Sequence, residues 1–142
     1  MKISTRGRYA LRVMVDLAEH YNGNFIPLKD VAERQDISQK YLESITADLS
    51  KSGLLEGQHG KGGGYKLSRS PDETTVGDIL RTTEGDLAPV ACLEKNDKPC
   101  ERAADCRTLS MWRKLYRTIN GFFDGITLAD LISDGGGNDY VI

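Results

Sequence analysis

Apolar residues return every three or four positions in successive stretches of the chain, and each such stretch predicts an amphipathic helix. Tyr9, Ala10, Val13, Met14, Leu17, Ala18 and Tyr21 form the first face, so a helix is predicted over roughly Thr5 to Tyr21, ended by Asn22-Gly23-Asn24. After Pro27, the residues Leu28, Val31 and Ala32 mark a short second helix. Gln35-Asp36-Ile37-Ser38 reads as a turn in which Ser38 can cap the third helix, whose Leu42, Ile45 and Leu49 point inward before Gly53 stops it. The spacing then changes. Leu54-Leu55-Glu56 and Tyr65-Lys66-Leu67 read as two short strands around a glycine-rich tip, Gly57 to Gly64, that carries His59 and Lys61.

The helical period resumes beyond Pro71. Thr75-x-x-Asp78 has the form of a capping box, opening a short helix with Val76, Ile79 and Leu80 on one face and Glu84-Gly85 at its end. A loop with all three cysteines follows. Trp112, Leu115, Tyr116, Ile119, Phe122, Phe123 and Ile126 then define a long helix with a heavy aromatic stripe. Thr127-x-x-Asp130 opens a last short helix, and Gly135-Gly136-Gly137 leads into the tail Asn138-Asp139-Tyr140-Val141-Ile142. The expected fold is mainly α with a small β-hairpin wing: a winged helix-turn-helix over residues 1–70, a sensor loop and dimerisation helices over 71–134, and a flexible tail over 135–142. The long helix has little of its own chain to cover it. Two copies pairing along the Trp112 to Ile126 face would do so; packing back on the first helix is the alternative.

Charge adds an asymmetry. The 142 residues carry a net charge of −2, yet residues 1–70 hold 11 Lys+Arg against 8 Asp+Glu (+3) and the remainder 8 against 13 (−5), which points to an anionic partner for the first half. The N-terminus has charges spread through it and no continuous apolar core of a signal peptide, and no window is long and apolar enough to span a bilayer, so a cytoplasmic protein without a membrane role is expected. Enzyme chemistry finds little support. The histidines are His20 and His59, and no nucleophile elbow, phosphate loop or dinucleotide fingerprint is present.

On the third helix Ser38, Gln39, Lys40, Tyr41, Glu43 and Ser44 lie on or near the side expected to enter a major groove. Gln39 can pair with adenine, Glu43 can accept from a cytosine amino group, and Lys40 or Ser44 can reach a base or a phosphate. Lys2, Ser4, Thr5, Arg6 and Arg8 ahead of and within the first turn, with His59, Lys61 and Gly62 on the wing, supply phosphate or minor-groove contacts. A plain solvated face is the alternative for all of these. Cys92, Cys100 and Cys106, spaced C-x7-C-x5-C, suit an iron–sulfur centre or zinc in a reducing compartment; redox-active or incidental thiols are the other readings, and a metal would still need a fourth ligand.

The opening MKISTRGRYALRVMVDLA, the segment SQKYLESI, the wing GKGGGYKLSRSP and the stretch TVGDILRTTEG resemble the IscR, NsrR and CymR family of bacterial winged-helix transcription regulators, and the likeness runs from Met1 through TLADLI. The resemblance implies a homodimer crossed by the long C-terminal helix, bound to a roughly palindromic double-stranded DNA operator and usually repressing genes of iron–sulfur or cysteine metabolism. It implies a [2Fe–2S] or [4Fe–4S] cluster on Cys92, Cys100 and Cys106. Two departures stand out: the first cysteine gap is longer than the five residues typical of cluster-binding members, and Leu109 stands where IscR-like members place a histidine. Glu94, Asp97, Asp105 or a side chain of a second subunit is then the candidate fourth ligand. CymR-like members carry no cluster and bind cysteine synthase. Tyr140, Val141 and Ile142 are similar to the C-terminal peptide by which serine acetyltransferases enter that enzyme, so the tail is a candidate partner-binding segment, with an idle terminus as the alternative.

Overall fold

The computed structural model describes residues 1–94 and 100–134. The order is α1 (Thr5–Glu19), α2 (Leu28–Gln35), α3 (Gln39–Lys51), β1 (Leu55–Gln58), β2 (Gly64–Leu67), α4 (Val76–Glu84), α5 (Leu109–Asp124) and α6 (Leu128–Ser133), with short 3-10 turns at Pro71–Glu73 and Ala91–Leu93. The main core forms where Ala10, Val13, Met14 and Leu17 of α1 meet Val31 of α2 and Leu42, Ile45 and Leu49 of α3, all essentially without solvent contact. Ile79 of α4 and Leu128 of α6 join the same core. Burying aliphatic side chains of this size contributes about 1.5–3 kcal/mol each.

Helix ends follow local chemistry. Ser4 and Ser38 cap α1 and α3 by accepting from the N–H groups of Gly7 and Tyr41. The two capping boxes are present, on α4 (Thr75 with Asp78) and on α6 (Thr127 with Asp130). The two caps also lie side by side: Val76 N–H donates to the carbonyl of Ile126 at 2.9 Å and Leu128 N–H to that of Thr74 at 3.0 Å. Between α2 and α3, Asp36 takes the left-handed conformation (φ 53°), which a short polar side chain tolerates, and so turns the chain sharply.

The hairpin is antiparallel, with Leu55 opposite Leu67 and Gln58 opposite Gly64. Its strands lie slightly further out than the apolar pattern places them, because backbone pairing continues through Gly57 and Gln58 after the apolar residues have ended. Leu54, expected in the first strand, is buried just before it. Ile26 adds a bridge on the outer edge, exchanging hydrogen bonds with Tyr65 at 2.8 and 2.9 Å. Gly64 (φ 149°) lies so close beneath Ile26 that a side chain there would strike its carbonyl.

Three other expectations are corrected. α1 stops at Glu19, so Tyr21 lies beyond the helix and is 46% exposed rather than part of its inner face. Ile126 lies past the end of α5 and packs, with Ile119 and Phe123, against a second apolar cluster of Val76, Leu80 and Leu87. The long aromatic stripe is therefore divided. Ile119 and Phe123 face α4, whereas Met111 (51%), Leu115 (39%) and Phe122 (59%) are open to solvent.

Candidate nucleic-acid interface

Helix α3 is built to present one face. Leu42, Ile45, Thr46 and Leu49 are buried, and the Thr46 hydroxyl donates to the Leu42 carbonyl at 2.8 Å, which leaves no unpaired polar group behind the helix. Opposite them Gln39, Lys40, Glu43, Ser44 and Ala47 are exposed. Ser38 is occupied as the N-cap, and Tyr41 is half-buried with its ring edge-on to Tyr9, centroids 5.7 Å apart. These two hold the helix in place more than they project from it.

The N-terminal arm is more engaged than its sequence suggests. One Nη of Arg6 donates to the carbonyl and hydroxyl of Ser44, each at 3.1 Å, and pairs with Asp48. Ser4, the N-cap, donates its N–H and hydroxyl to Glu84 at 2.5 and 2.9 Å. Thr5 accepts from Arg8 at 3.2 Å. Lys2 and Arg8 remain exposed, as do His59, Lys61 and Gly62 at the wing tip, where Gly60 (φ 90°) and Gly62 (φ 79°) supply the left-handed backbone of the tip.

Several positioning residues carry no motif and were not singled out from sequence. Asp16, 1% exposed on α1, accepts from Arg34 Nη2 at 2.8 Å, from Arg34 Nε at 3.0 Å and from Gln35 Nε2 at 2.9 Å, and the hydrogen bond to Asp16 holds the Arg34 guanidinium above its ordinary pKa. Arg12 lies 5.3 Å over the Tyr9 ring and donates to both the side chain and the backbone carbonyl of Gln35. Together they fasten the α2–α3 turn to α1. The only available signal was an acid at helical spacing within an apolar face, Asp16 beside Val13 and Leu17.

In the second half, Arg81 of α4 grips Asp124 of α5 with two hydrogen bonds of 2.8 Å and Asn120 at 2.7 Å, and Tyr116 donates to Asp86 at 2.8 Å. Burial, with the Asp86 carboxylate next, pushes the Tyr116 hydroxyl above its usual pKa. Cys92 and Cys100 are exposed and Cys106 is half-exposed; all three are free thiols. The Thr108 hydroxyl, 3.4 Å from Cys106 Sγ, and the N–H groups of Thr108 and Leu109 lower the Cys106 pKa. Among the described residues no three His, Cys, Asp or Glu side chains are gathered as a metal group. Asp97 and the tail residues Tyr140, Val141 and Ile142 lie outside the described residues. No described helix is long and apolar enough to cross a membrane.

Comparison with known proteins fits this architecture. The Rrf2 family pattern, described as an iron-dependent transcriptional regulator, matches residues 3–134. The HTH-type transcriptional regulator IscR of Aliivibrio salmonicida is 39% identical over 134 residues, covering 94% of this chain and 79% of the relative. Among solved structures, the global cysteine regulator CymR of B. subtilis superposes with a TM-score of 0.75 at 35% identity, covering 94% of this chain and 98% of that one. T. potens IscR superposes with a TM-score of 0.72 at 37% identity, covering 100% and 93%. Since the family pattern takes in every helix and both wing strands, this chain belongs to the Rrf2 family of transcriptional regulators and is a DNA-binding regulator rather than an enzyme.

Proposed function

We propose that the chain acts as a homodimeric repressor in which α3 reads the major groove, the wing follows the adjacent minor groove, and the cysteine loop carries an iron–sulfur centre that sets operator affinity. The observation that carries the reading is the polar ridge Gln39, Lys40 and Glu43, exposed on a helix whose opposite side is wholly buried. Gln39 pairs with adenine, and Glu43 accepts from cytosine. Lys40, Lys2, Arg8 and Lys61 neutralise phosphates. An acid set against a polyanion is unfavourable wherever it meets no donor, so Glu43 acts mainly by rejecting wrong sequences. Met111, Leu115 and Phe122 pair two copies, giving twofold-related α3 helices.

For the cluster, the donor chemistry fits: three free thiols, soft ligands suited to iron–sulfur centres, with Cys106 already biased toward thiolate by the donors at the start of α5. Cys92, Cys100 and Cys106 would hold it, with Glu94, Asp97, Asp105 or a side chain of the second copy as fourth ligand. When bound, such a group supplies a centre whose oxidation or loss changes the loop's charge and ligation. A second reading rests on the tail sequence alone, whose residues 140–142 are similar to a peptide that enters cysteine synthase; deleting them abolishes capture and leaves DNA binding intact.

Footprinting with protein purified without oxygen, beside iron and sulfide assays, tests the main reading. Lys61→Ala lowers affinity on all sequences alike, whereas Glu43→Ala relaxes preference at particular bases. Iron-free protein with unchanged operator binding would remove the sensor and leave the repressor.

A further inference from the structure

Glu84 is the last residue of α4, where the helix dipole disfavours a negative charge. Its carboxylate instead faces the N-terminus of α1, where the dipole favours it, and accepts both the backbone N–H and the hydroxyl of Ser4. Ser4 is itself the N-cap of α1, accepting from Gly7 N–H at 2.9 Å. In a capping box the acid comes from the helix's own first turn; here it comes from 80 residues away. The approach is close enough that a Cβ on Gly7 would lie 2.9 Å from Glu84 Oε1.

Two residues beyond Ser4, Arg6 holds the exposed side of α3 through Ser44 and Asp48. Two residues beyond Glu84, Asp86 accepts from Tyr116 of α5. The short turn Glu84-Gly85-Asp86, with Gly85 at φ 78°, therefore touches the cap of α1 on one side and the helix following the cysteine loop on the other.

From this geometry we infer that Glu84 is a positioning residue for operator recognition: its carboxylate caps α1 from outside the first half, fixes the arm carrying Lys2, Arg6 and Arg8, and through Arg6 sets where α3 presents Gln39, Lys40 and Glu43. The inference rests on the reading of α3 as the groove-entering helix.

The test compares Glu84→Ala, Glu84→Asp and Glu84→Gln in the full-length protein, titrated on a footprinted operator and on an unrelated duplex, with thermal melts run alongside. Glu84→Gln gives up the charge and one acceptor oxygen but keeps a carbonyl of the same reach for the Ser4 N–H, and binds the operator within about threefold of the parent. Glu84→Asp keeps the charge but falls short of Ser4, and with Glu84→Ala it loses about fivefold to tenfold on the operator, the scale of a lost N-cap. Affinity for the unrelated duplex falls by less than that for the operator with either, because Lys2 and Arg8 lose part of their placement but no phosphate-contacting cation is removed. If Glu84→Ala fails to fold, the contrast between Glu84→Asp and Glu84→Gln decides alone. Equal operator affinity for those two, or equal losses on both duplexes, would overturn the inference. If Lys40→Ala leaves operator affinity untouched and Glu43→Ala leaves base preference untouched, the groove-reading assignment of α3 fails instead.

Discussion

Arg6 and Ser44, two side chains that sequence places on the DNA-contacting surface, are bound to each other: one guanidinium nitrogen of Arg6 lies 3.1 Å from both the Ser44 carbonyl and its hydroxyl, and the same group pairs with Asp48. A cation engaged in this way braces α3 against α1 and is less available to a phosphate. Arg6→Ala should therefore weaken operator binding by more than it weakens binding to unrelated duplex, and should leave the salt slope of log Kd nearly unchanged. Lys2→Ala or Arg8→Ala should lower both affinities together and reduce the slope by about one. Competition titrations at several salt concentrations distinguish the two patterns; a full unit lost from the slope in Arg6→Ala would mark Arg6 as a phosphate contact.

The sequence carried the architecture because each helix bears its own signal. Both Thr-x-x-Asp boxes lie at helix starts, and Ser38 caps α3. Strand limits were less legible, since Gly57 and Gln58 pair through backbone groups that periodicity does not record. The exposed ridge of α3 was readable from the burial of Leu42, Ile45 and Leu49. Arg6 and Ser4 read in sequence as phosphate or minor-groove contacts, and their roles in bracing α3 and capping α1 were not legible, because their partners Asp48 and Glu84 come close through folding rather than spacing. The division of the α5 stripe had the same origin: only the position of α4 decides that Phe123 turns inward and Phe122 outward.

The Asp16–Arg34 pair should respond asymmetrically to its two deletions. The Asp16 side chain is 2% exposed, whereas that of Arg34 is 35% exposed. Arg34→Ala leaves a buried carboxylate with the Gln35 hydrogen bond and His20 Nδ1 3.7 Å away, and should cost about 2–4 kcal/mol, near the range for breaking a buried pair. Asp16→Ala leaves a guanidinium that can turn into water, and should cost at least about 1 kcal/mol less. Urea melts of both variants at neutral pH check the order, and equal losses would show that Arg34 does not compensate the buried charge.

Tyr116 should report on the α4–α5 joint through pH. Its hydroxyl donates to Asp86 at 2.8 Å, and burial followed by that hydrogen bond raises its pKa above the ordinary tyrosine value. An acid whose folded pKa is raised contributes fully below the unfolded value and loses its contribution as pH climbs through the folded one. Tyr116→Phe should thus destabilise the protein by about 1 kcal/mol at neutral pH. The gap between variant and parent should close only at alkaline pH, above the usual tyrosine range. Denaturant melts across that range test the sign; a gap that closes on acidification instead would place the titrating group elsewhere.

The outward side of α5 sets the final expectation. Met111, Leu115 and Phe122 recur at four and seven residues along one stripe and stay open to water, although the opposite side of the helix is committed to α4. A stripe of that spacing is the pattern by which one helix packs on another. Leu115→Ser combined with Phe122→Ser removes apolar area from the stripe and one edge-on ring contact to Phe123 (centroids 5.4 Å apart) but keeps Ile119 and Phe123 packed on α4, so the protomer's own core should survive with its melting temperature little changed when measured at low concentration. Sedimentation at micromolar concentration should show the parent as a dimer and the double variant shifted to single subunits. Operator affinity should then fall by more than tenfold, since one protomer holds one half-site and loses the gain from linking two. If the parent sediments as single subunits, or the double variant still sediments as a dimer, this stripe does not join two copies.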